Sequence, residues 1–413
     1  MKSKIVFIAL VFSAYACSNA NRQGDGSIKE VTVGGNKVSV LLLNKVKSGS
    51  ATIPLSSLVE DFEIVQLEMH ENAVFSPTAK ITITENYIGA CPIYADNYKL
   101  FDRSGKFLCD LSRRGGGPGE FAYSLGKSNI IDEKSGKIYL EAYPNKILVY
   151  NVSGQFLNEF IAPQVLNQAQ MFLSDGILTV VHAPRKFQHT DNITYDETDA
   201  MILKFDANTG ELLETVPPPY EHLILRDHAG FPYSSNNVPG VFDWRPNYQS
   251  IEQFQYDTLY FIDVKRNKFQ PFFTVDNHLI NERLRPSIGL VNKNMMMIIH
   301  AKVGGAYEPP KDYIAIDLIT KTSTRFNRVV NDFLGNMEIK YDNYWQCFNN
   351  GYYAISMQPE DLMADIEKRL SERTCTEEDR AVLKKTLSTL KEGANNVVMI
   401  GKIREEVNSK LWQ

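Results

Sequence analysis

The segment KLFDRSGKFLCDL, Lys99–Leu111, combines an apolar strand that ends in Asp, a tight turn and a second apolar strand. The pattern recurs at Ile147–Phe160 (ILVYNVSGQFLNEF) and Ile202–Val216 (ILKFDANTGELLETV), and more loosely at Leu259–Phe273 and Asp312–Phe326. The Asp or Asn anchors, which lie 49, 55, 57 and 54 positions apart, are Asp102, Asn151, Asp206, Asp263 and Asp317. One hairpin in each period of this length predicts an all-β propeller built from four-stranded blades.

The chain divides into six such repeats. The first five are predicted at Ala79–Leu111, Gly126–Ile161, Gln168–Val216, Val238–Val275 and Pro286–Phe326. The second repeat is the most regular, because turn residues separate each of its four strands. The third contains a polar excursion, residues 184–199, between its second and third strands.

The sixth repeat is interrupted by a helical pattern. Strands are predicted near Asn343–Phe348 and Gly351–Met357, and residues 359–393 then change to a 3.6-residue apolar period with a capping box. Strand character returns at Asn395–Ile403, which gives only three strands. The strand Phe62–Met69 is predicted to supply the fourth and thereby to close the ring.

The first residues carry an export signal. Lys2 and Lys4 precede the apolar run Ile5–Phe12, and small residues lead to Cys17. This order predicts a signal peptide at residues 1–16 and a lipidated Cys17 as the mature N-terminus. The alternative is an ordinary cleaved signal in which Cys17 is incidental. Residues 17–35 are then a lipid-anchored tether and residues 36–413 the propeller, exported to the cell envelope at the outer membrane or periplasmic face.

Composition narrows the classes of partner. The net charge of −5 argues against nucleic acid. The cysteines after Cys17 show no metal-site or disulfide-framework spacing; Cys91 and Cys109 could pair, but buried free thiols are favoured. No cofactor is predicted, membrane contact is expected only through the lipid, and the protein is expected to be a monomer.

A resemblance to known propellers is carried by the second repeat. Its entry loop reads RGGGPGEF at Arg114–Phe121, followed by GKIY in the second strand and NKI in the third. This segment resembles one repeat of the NHL-type propellers, and the whole layout resembles the bacterial six-bladed β-propeller lipoproteins, which are TolB-like. That resemblance implies an envelope-anchored propeller and no defined activity.

No catalytic motif is present. The loop Gly115–Phe121 lacks the pattern of a phosphate-binding loop, and Pro118 has no N–H to donate. Its glycines instead suit a sharp crossing between blades, with Glu120 accepting backbone hydrogen bonds and Phe121 filling the gap. The pairs His182/His189 and His222/His228, and the acidic stretch of residues 191–199, are interpreted as solvated loops because they lack metal-ligand spacing.

Two segments have the composition of a binding surface. Arg226–Tyr248 and Tyr341–Cys347 mix aromatic, amide and charged residues, which suit sugars or peptides. The alternative is that these aromatics fill the wedges between blades. The predicted ligand-binding residues are Arg226, Asp243, Arg245, Tyr248 and Trp345.

Three functions are compatible with this pattern. The preferred one is a non-catalytic recognition module for a small molecule, glycan, peptide or envelope protein at the channel mouth. The alternative is a propeller-type hydrolase or lyase whose titratable groups converge in the channel. The third is a structural protein whose helix pair docks another envelope protein.

Overall fold

The computed structural model describes residues 24–92, 97–166, 169–181, 186–189, 192–195, 200–217, 241–245, 248–252, 258–276, 284–290, 294–303, 306–307, 312–339 and 347–405. For the strands within residues 186–195, 241–262 and 284–312, only the backbone is described.

The five repeated hairpins share one turn geometry, which explains the Asp or Asn anchor in each. The anchor's Oδ1 accepts a hydrogen bond from the backbone N–H two residues later. The N···O distances are 2.9 Å at Asp102, 3.1 Å at Asn151, 2.9 Å at Asp206, 3.1 Å at Asp263 and 2.9 Å at Asp317. A short polar side chain that bonds the backbone ahead of it fixes a tight turn, so the repeat in the sequence is a repeat of turns.

Four strands precede the first repeat. They are β1 (Ile28–Val33), β2 (Asn36–Leu41), β3 (Lys47–Pro54) and β4 (Val59–Gln66), with 3₁₀ turns at Leu43–Lys45 and Leu55–Ser57.

Blades one to three follow as antiparallel four-stranded sheets, as predicted. Blade one contains β5 (Lys80–Ile83), β6 (Tyr87–Cys91), β7 (Tyr98–Asp102) and β8 (Phe107–Leu111). Short strands β9 (Arg113–Arg114) and β10 (Glu120–Phe121) pair in the next connection. Blade two contains β11 (Leu125–Asp132), β12 (Lys137–Ala142), β13 (Lys146–Asn151) and β14 (Phe156–Ile161). Blade three contains β15 (Gln170–Ser174), β16 (Ile177–Val181), β19 (Ile202–Asp206) and β20 (Leu212–Val216). The polar excursion contains a separate hairpin of β17 (Lys186–His189) and β18 (Asn192–Tyr195).

Blades four to six complete the ring. Blade four contains β21 (Val241–Arg245), β22 (Tyr248–Glu252), β23 (Thr258–Asp263) and β24 (Lys268–Val275). Blade five contains β25 (Leu284–Leu290), β26 (Asn294–Val303), β28 (Asp312–Asp317) and β29 (Thr322–Asn331), with the short strands β27 (Ala306–Tyr307) and β30 (Met337–Ile339) added. Blade six contains β31 (Phe348–Asn349), β32 (Tyr352–Met357), β33 (Val397–Ile403) and β4.

The predicted closure of the ring is confirmed. Strand β4 pairs antiparallel with β33, with Gln66 opposite Val397 and Val59 opposite Ile403. The closing strand thus begins three residues before the predicted Phe62. The predicted inner strand Asn343–Phe348 is seen only from Phe348, since residues 340–346 lie outside the described residues.

The N-terminal segment differs from the predicted tether of residues 17–35. Strand β1 lies inside that range, yet it pairs with β2, and β2 extends blade four by running parallel to β24. Strand β3 extends blade five in the same way, parallel to β29. Ser27 is fully buried, and its carbonyl accepts a hydrogen bond from the Leu42 N–H. The folded rim therefore starts before the predicted boundary at residue 36, because these strands cover the outer edges of two blades.

The helical insertion lies between the second and third strands of blade six, as predicted. Its helices are α1 (Pro359–Ser371) and α2 (Glu377–Leu387). The capping box of α2 is formed in both directions, with 3.1 Å from the Asp379 N–H to Thr376 Oγ1 and 3.2 Å from the Thr376 N–H to Asp379 Oδ2. Leu362, Ile366 and Leu383 are fully buried against blade six.

The core is divided into layers between neighbouring blades. Alternate residues of one strand face opposite neighbours: Ile138 and Leu140 pack towards blade one, whereas Tyr139 packs towards blade three. Equivalent clusters join blades three to four, four to five and five to six. A further cluster joins blade six to blade one through Val398 and Ile81. Burial on both faces explains why the second strands β6, β12 and β16 are almost continuously apolar.

The two ends of the ring differ. The strands of each blade are antiparallel. The hairpin between the first and second strands and the hairpin between the third and fourth strands therefore lie at the same end of the ring, which we call the turn face. These hairpins contain two to five residues. The other end, the connection face, carries the segments between blades and between second and third strands. They include residues 182–201, 217–240 and 358–396. Sequence length is thus concentrated on one face, where propeller loops can surround the channel.

Candidate functional site: the connection face and a buried carboxylate beside it

Three of the five predicted ligand-binding residues lie in blade four, and the other two lie outside the described residues. Arg226 and Trp345 lie outside the described residues, as do Cys17 and the rest of residues 1–23. The backbones of Asp243, Arg245 and Tyr248 belong to the first two strands of blade four. These three positions therefore belong to the inner part of the blade, next to the channel.

Topology separates the two ends of the predicted binding segment. Residues 217–240 join β20 to β21 at the connection face, whereas β21 runs from that face towards the turn face. Arg245 lies opposite Tyr248 next to the hairpin of β21 and β22, at the turn face. The register shifts by one residue between Asp243 and Arg245, so the simple alternation expected around Trp244 is interrupted there. A ligand-binding role for these residues stays a prediction.

The connection between blades one and two has the structural role predicted for it. Glu120 Oε2 accepts a hydrogen bond from the Gly117 N–H at 2.7 Å, and Arg113 Nε donates to Glu120 Oε1 at 2.6 Å. These contacts hold the pKa of the Glu120 carboxyl below its ordinary value. Phe121 is fully buried between the two blades. The glycine-rich segment thus organises the crossing between blades.

A buried carboxylate that the sequence analysis missed lies at the connection-face end of blade two. Glu141, near the end of β12, is only 5% exposed. Its Oε2 accepts a hydrogen bond from the Ser128 N–H at 3.3 Å, and the Ala169 N–H provides a second. Ser128 Oγ in turn accepts from the Met171 N–H of blade three at 2.8 Å. The carboxylate therefore ties the first strand of blade two to the entrance of blade three.

A glycine makes room for this carboxylate. A Cβ added at Gly126 would lie 2.2 Å from both Cδ and Oε2 of Glu141. Gly89 does the same for Tyr98 in blade one, where an added Cβ would lie 1.8 Å from the Tyr98 hydroxyl oxygen. That hydroxyl donates to Asn129 Oδ1 at 3.1 Å. Large polar side chains thus cross from one strand to the next through positions that only glycine can occupy.

Burial determines the protonation of Glu141. Removal from water raises the pKa of Glu141 to about 7, although the Ser128 and Ala169 amides and the charge of Lys80 oppose that rise. Burial disfavours a charged carboxylate, whereas donors and cations favour it. The side chain consequently exchanges a proton near neutral pH. Because it is enclosed, that proton affects the strands around it rather than a ligand in the channel.

The cysteines are free thiols in the described part of the chain. Cys91 and Cys109 lie on β6 and β8, which β7 separates. Burial raises the pKa of Cys91 to about 12 and that of Cys109 to about 11, so neither is a reactive thiolate. Cys91 Sγ donates to the Gly126 carbonyl at 3.2 Å. Both are free thiols, as favoured, with Cys91 buried and Cys109 half-buried.

The described residues form neither a metal-binding cluster nor a membrane-spanning helix. No three His, Cys, Asp or Glu residues of these ranges gather closely enough to hold a metal ion. His182, His222 and His228 lie outside the ranges, and His189 is placed by its backbone in β17. Neither helix described here has the length and apolar content needed to cross a bilayer.

Comparison with known proteins agrees with this architecture. A family profile described as "Domain of unknown function (DUF4934)" matches residues 38–402. The chain belongs to that family. The profile begins inside the rim segment and ends in β33, so the DUF4934 domain covers the closed ring together with its helical insertion. No curated protein matches.

Solved structures show the same fold at low sequence identity. A protein of Bacteroides fragilis NCTC 9343 described as exported is similar over 88% of this chain and 99% of its own, with 14% identity and a TM-score of 0.55. Streptogramin B lyase matches over 68% and 85%, with 15% identity and a TM-score of 0.37. BamB from Moraxella catarrhalis matches over 64% and 66%, with 10% identity and a TM-score of 0.34. The similarity to the Bacteroides fragilis protein supports the six-bladed propeller fold of this DUF4934 chain. The TM-scores of the other two structures are too low to support a conclusion.

Proposed function

We propose that this protein is an exported, lipid-anchored propeller that recognises a ligand without transforming it. The observation that carries the proposal is the contrast between the two faces of the ring. Every hairpin at the turn face is short, whereas the connection face carries three segments of 20 or more residues. Long segments held at the rim of a rigid channel are the usual location of binding residues.

The ligand class follows from the segments themselves. Residues 226–248 and 341–347 supply aromatic rings, amides and both signs of charge, a composition suited to a glycan or to a peptide of an envelope protein. Within this proposal Arg226 contacts the ligand. Asp243, Arg245 and Tyr248 line the channel from blade four, and Trp345 provides a stacking surface from blade six.

The binding test uses the soluble protein that starts at residue 24, probed on glycan and peptide arrays. Arg226→Ala and Arg245→Ala are then compared against the recovered ligand, because Arg226 belongs to the segment that joins blades three and four, whereas Arg245 ends the first strand of blade four. Loss of binding with R226A alone assigns the ligand to the segment that joins blades three and four. Loss with both variants indicates a ligand that extends through the channel. Full binding by both variants at unchanged melting temperature would contradict the proposed site.

The anchor is tested separately. The order of basic, apolar and small residues ending at Cys17 supports lipidation. Cys17→Ser should move the protein from the membrane fraction to the soluble fraction, with Cys109→Ser as a matched control. A C17S protein retained on membranes would refute the anchor while leaving the recognition proposal intact.

A further inference from the structure

The N-terminal segment meets the ring at the turn face, beside the hairpin between the third and fourth strands of blade five. A Cβ added at Gly24 would lie 2.5 Å from the Lys321 carbonyl oxygen of that hairpin. The Asp25 carboxylate accepts a hydrogen bond from the Ser323 N–H at 3.1 Å. These contacts fix the place on the ring from which the preceding residues extend.

The distance from this place to Cys17 is limited by covalent geometry. Seven residue-to-residue steps separate Cys17 from Gly24. A fully extended chain covers at most about 3.6 Å per step, which gives about 25 Å in all. A lipid on Cys17 therefore keeps the blade-five hairpin within about 25 Å of the bilayer surface.

Two other turns lie next to the blade-five hairpin at the turn face. One is the tip of the β1–β2 hairpin, which lies at this face because β2 runs parallel to β24. It adjoins blade five, since Lys321 Nζ is bonded to Glu30 of β1. The other is the β23–β24 hairpin of blade four, whose outer strand pairs with β2. We call these three turns the entry patch, which comprises residues 33–37, 264–268 and 318–321.

Carboxylates at the border of the entry patch are bound to its cations. Glu30 Oε2 is bonded to Lys321 Nζ. Asp175 Oδ2 of blade three lies 2.7 Å from Lys265 Nζ. The turn anchor Asp263 accepts from the Lys265 N–H at 3.1 Å and lies 3.5 Å from a guanidinium of the same turn. These three acids are thus already compensated.

Two lysines of the entry patch have no such partner. Lys37 follows the tip of the β1–β2 hairpin and Lys268 begins β24, and both are exposed. Neither forms an ion pair within the part of the chain that the structure describes. Asp25 is half-buried and accepts backbone hydrogen bonds, so it offsets only one of the two charges. The balance of charge at the entry patch is therefore positive.

Apolar side chains protrude beside these lysines. Val33 is 51% exposed at the tip of the β1–β2 hairpin, and Ile319 is 41% exposed in the blade-five hairpin. Lysines without counter-charges attract anionic lipid head groups, and apolar side chains beside them can enter the boundary between head groups and acyl chains. The entry patch thus has the chemistry of a surface that contacts an anionic bilayer.

We propose that the entry patch lies against the anionic surface of the bilayer that holds the Cys17 lipid, an inference that rests on the proposed anchor. The short tether gives the patch a high effective concentration at that surface, so a few weak contacts are enough to orient the ring. Membrane contact then extends beyond the lipid to folded residues. Because the connection face is the opposite end of the ring, its long segments face away from the bilayer.

The test replaces the lipid with a chemical anchor, so its outcome does not depend on whether Cys17 is lipidated. The chain from residue 17 is coupled through the Cys17 thiol to a maleimide lipid in vesicles of equimolar phosphatidylglycerol and phosphatidylcholine. A Cys109→Ser background is used, because the other described thiols are buried. Hydrogen–deuterium exchange should slow about threefold or more at the amides of residues 33–37 and 264–268, relative to vesicles of phosphatidylcholine alone. Amides of helix α2, at the connection face, should exchange equally on both.

Charge reversal locates the contact. Lys37→Glu combined with Lys268→Glu should remove most of the slowing, because reversing both charges lowers the population in contact about tenfold or more. Lys106→Glu is the matched control, since Lys106 is exposed at the turn face of blade one, across the ring from blade four. The K106E protein should retain the full slowing. Melting curves check that the variants are folded.

Three results would overturn the proposal. Equal slowing in the K37E/K268E and K106E proteins would show that the entry patch is not the contact. Slowing at residues 358–396 instead would show that the connection face meets the bilayer. Absence of slowing everywhere would show that the tether alone holds the protein. None of these results bears on lipidation of Cys17, which fractionation of the C17S protein decides separately.

Discussion

Glu141 is a carboxylate enclosed by the strands of blades two and three, and its proton controls part of the stability of that junction. The folded pKa of about 7 lies above the ordinary value of 4.5. A raised pKa means that the folded state binds the proton more tightly than the unfolded chain does. The stabilising contribution is therefore complete below about pH 4.5 and is lost as the pH rises through 7.

We expect the wild type to lose about 3 kcal/mol of unfolding free energy between pH 4.5 and pH 8, relative to Glu141→Gln. Glutamine keeps an acceptor for the Ser128 amide but does not ionise. Urea unfolding at a series of pH values measures the difference. Parallel stability curves for the two proteins would show that Glu141 has no raised pKa.

Gly126 is the position that admits the carboxylate. We expect Gly126→Ala to destabilise the fold by about 1–3 kcal/mol, because its Cβ would overlap Glu141. Gly116→Ala is the matched control, since a Cβ there meets nothing within 4 Å. In a Glu141→Ala background the cost of G126A should be much smaller, and a double-mutant cycle of melting curves measures this coupling. Additive effects would mean that another neighbour causes the strain.

The hairpin between the third and fourth strands is the element that the sequence repeats. Asn151 Oδ1 accepts from the Ser153 and Gln155 amides at 3.1 and 2.9 Å. Asn151→Ala should therefore cost about 1 kcal/mol by removing both contacts. Asn151→Asp keeps the acceptor oxygen and should retain most of the stability. Denaturant unfolding of the two variants tests this; equal losses would show that the side-chain oxygen is not what stabilises the turn.

The elements that sequence analysis identified are those whose signal is local. The Asp102-type turns, the capping box of α2 and the apolar strands of blades one to three each depend on residues within a few positions of one another. The closing strand was also predicted, but from the deficit of one strand in blade six. Its exact start was missed, because Val59 and Phe62 are both apolar and either suits a strand.

The elements that were missed depend on distant partners. Nothing near Ile28–Val33 indicates that it joins blade four, since its sheet is completed by β24 more than 200 residues later. Glu141 was overlooked for the same reason: a lone acidic residue in KIYLEA signals burial only when Gly126 and Ala169 are known to surround it. Sequence composition proposed the binding residues, but only strand register places Arg245 beside the hairpin of β21 and β22 at the turn face, whereas Arg226 lies outside the described residues.

At the scale of the molecule, the N-terminal segment holds three blades together. Deleting residues 1–23 should leave the melting temperature unchanged. Deleting residues 1–66 removes β1 to β4, which exposes the outer strands of blades four and five, leaves β33 of blade six unpaired and opens the ring. We expect that deletion to lower the melting temperature by about 10 °C or more, or to abolish the cooperative transition.

An intermediate deletion measures how much the contacts of residues 24–26 contribute to stability. Removing residues 1–26 deletes Asp25, whose carboxylate accepts from the Ser323 amide at 3.1 Å. A small loss of stability is expected, well below that of the 1–66 deletion. Thermal melts of the three truncations measure the series, and supplying residues 24–66 by co-expression should restore stability to the longest deletion. Equal melting of all three proteins would show that the rim strands are dispensable.

The order of strands along the chain has a consequence for biosynthesis. Strands β1 to β4 leave the ribosome first, but the partner of Ser39 is Phe273 and that of Gln66 is Val397. Blades one to three can pair as they emerge, whereas the early rim strands must wait for almost the whole chain. A nascent chain that stops before β33 leaves β4 unpaired and the circle open. Completion of the last strand thus serves as a checkpoint: only full-length translation products acquire protease resistance, and prematurely terminated ones remain substrates for degradation.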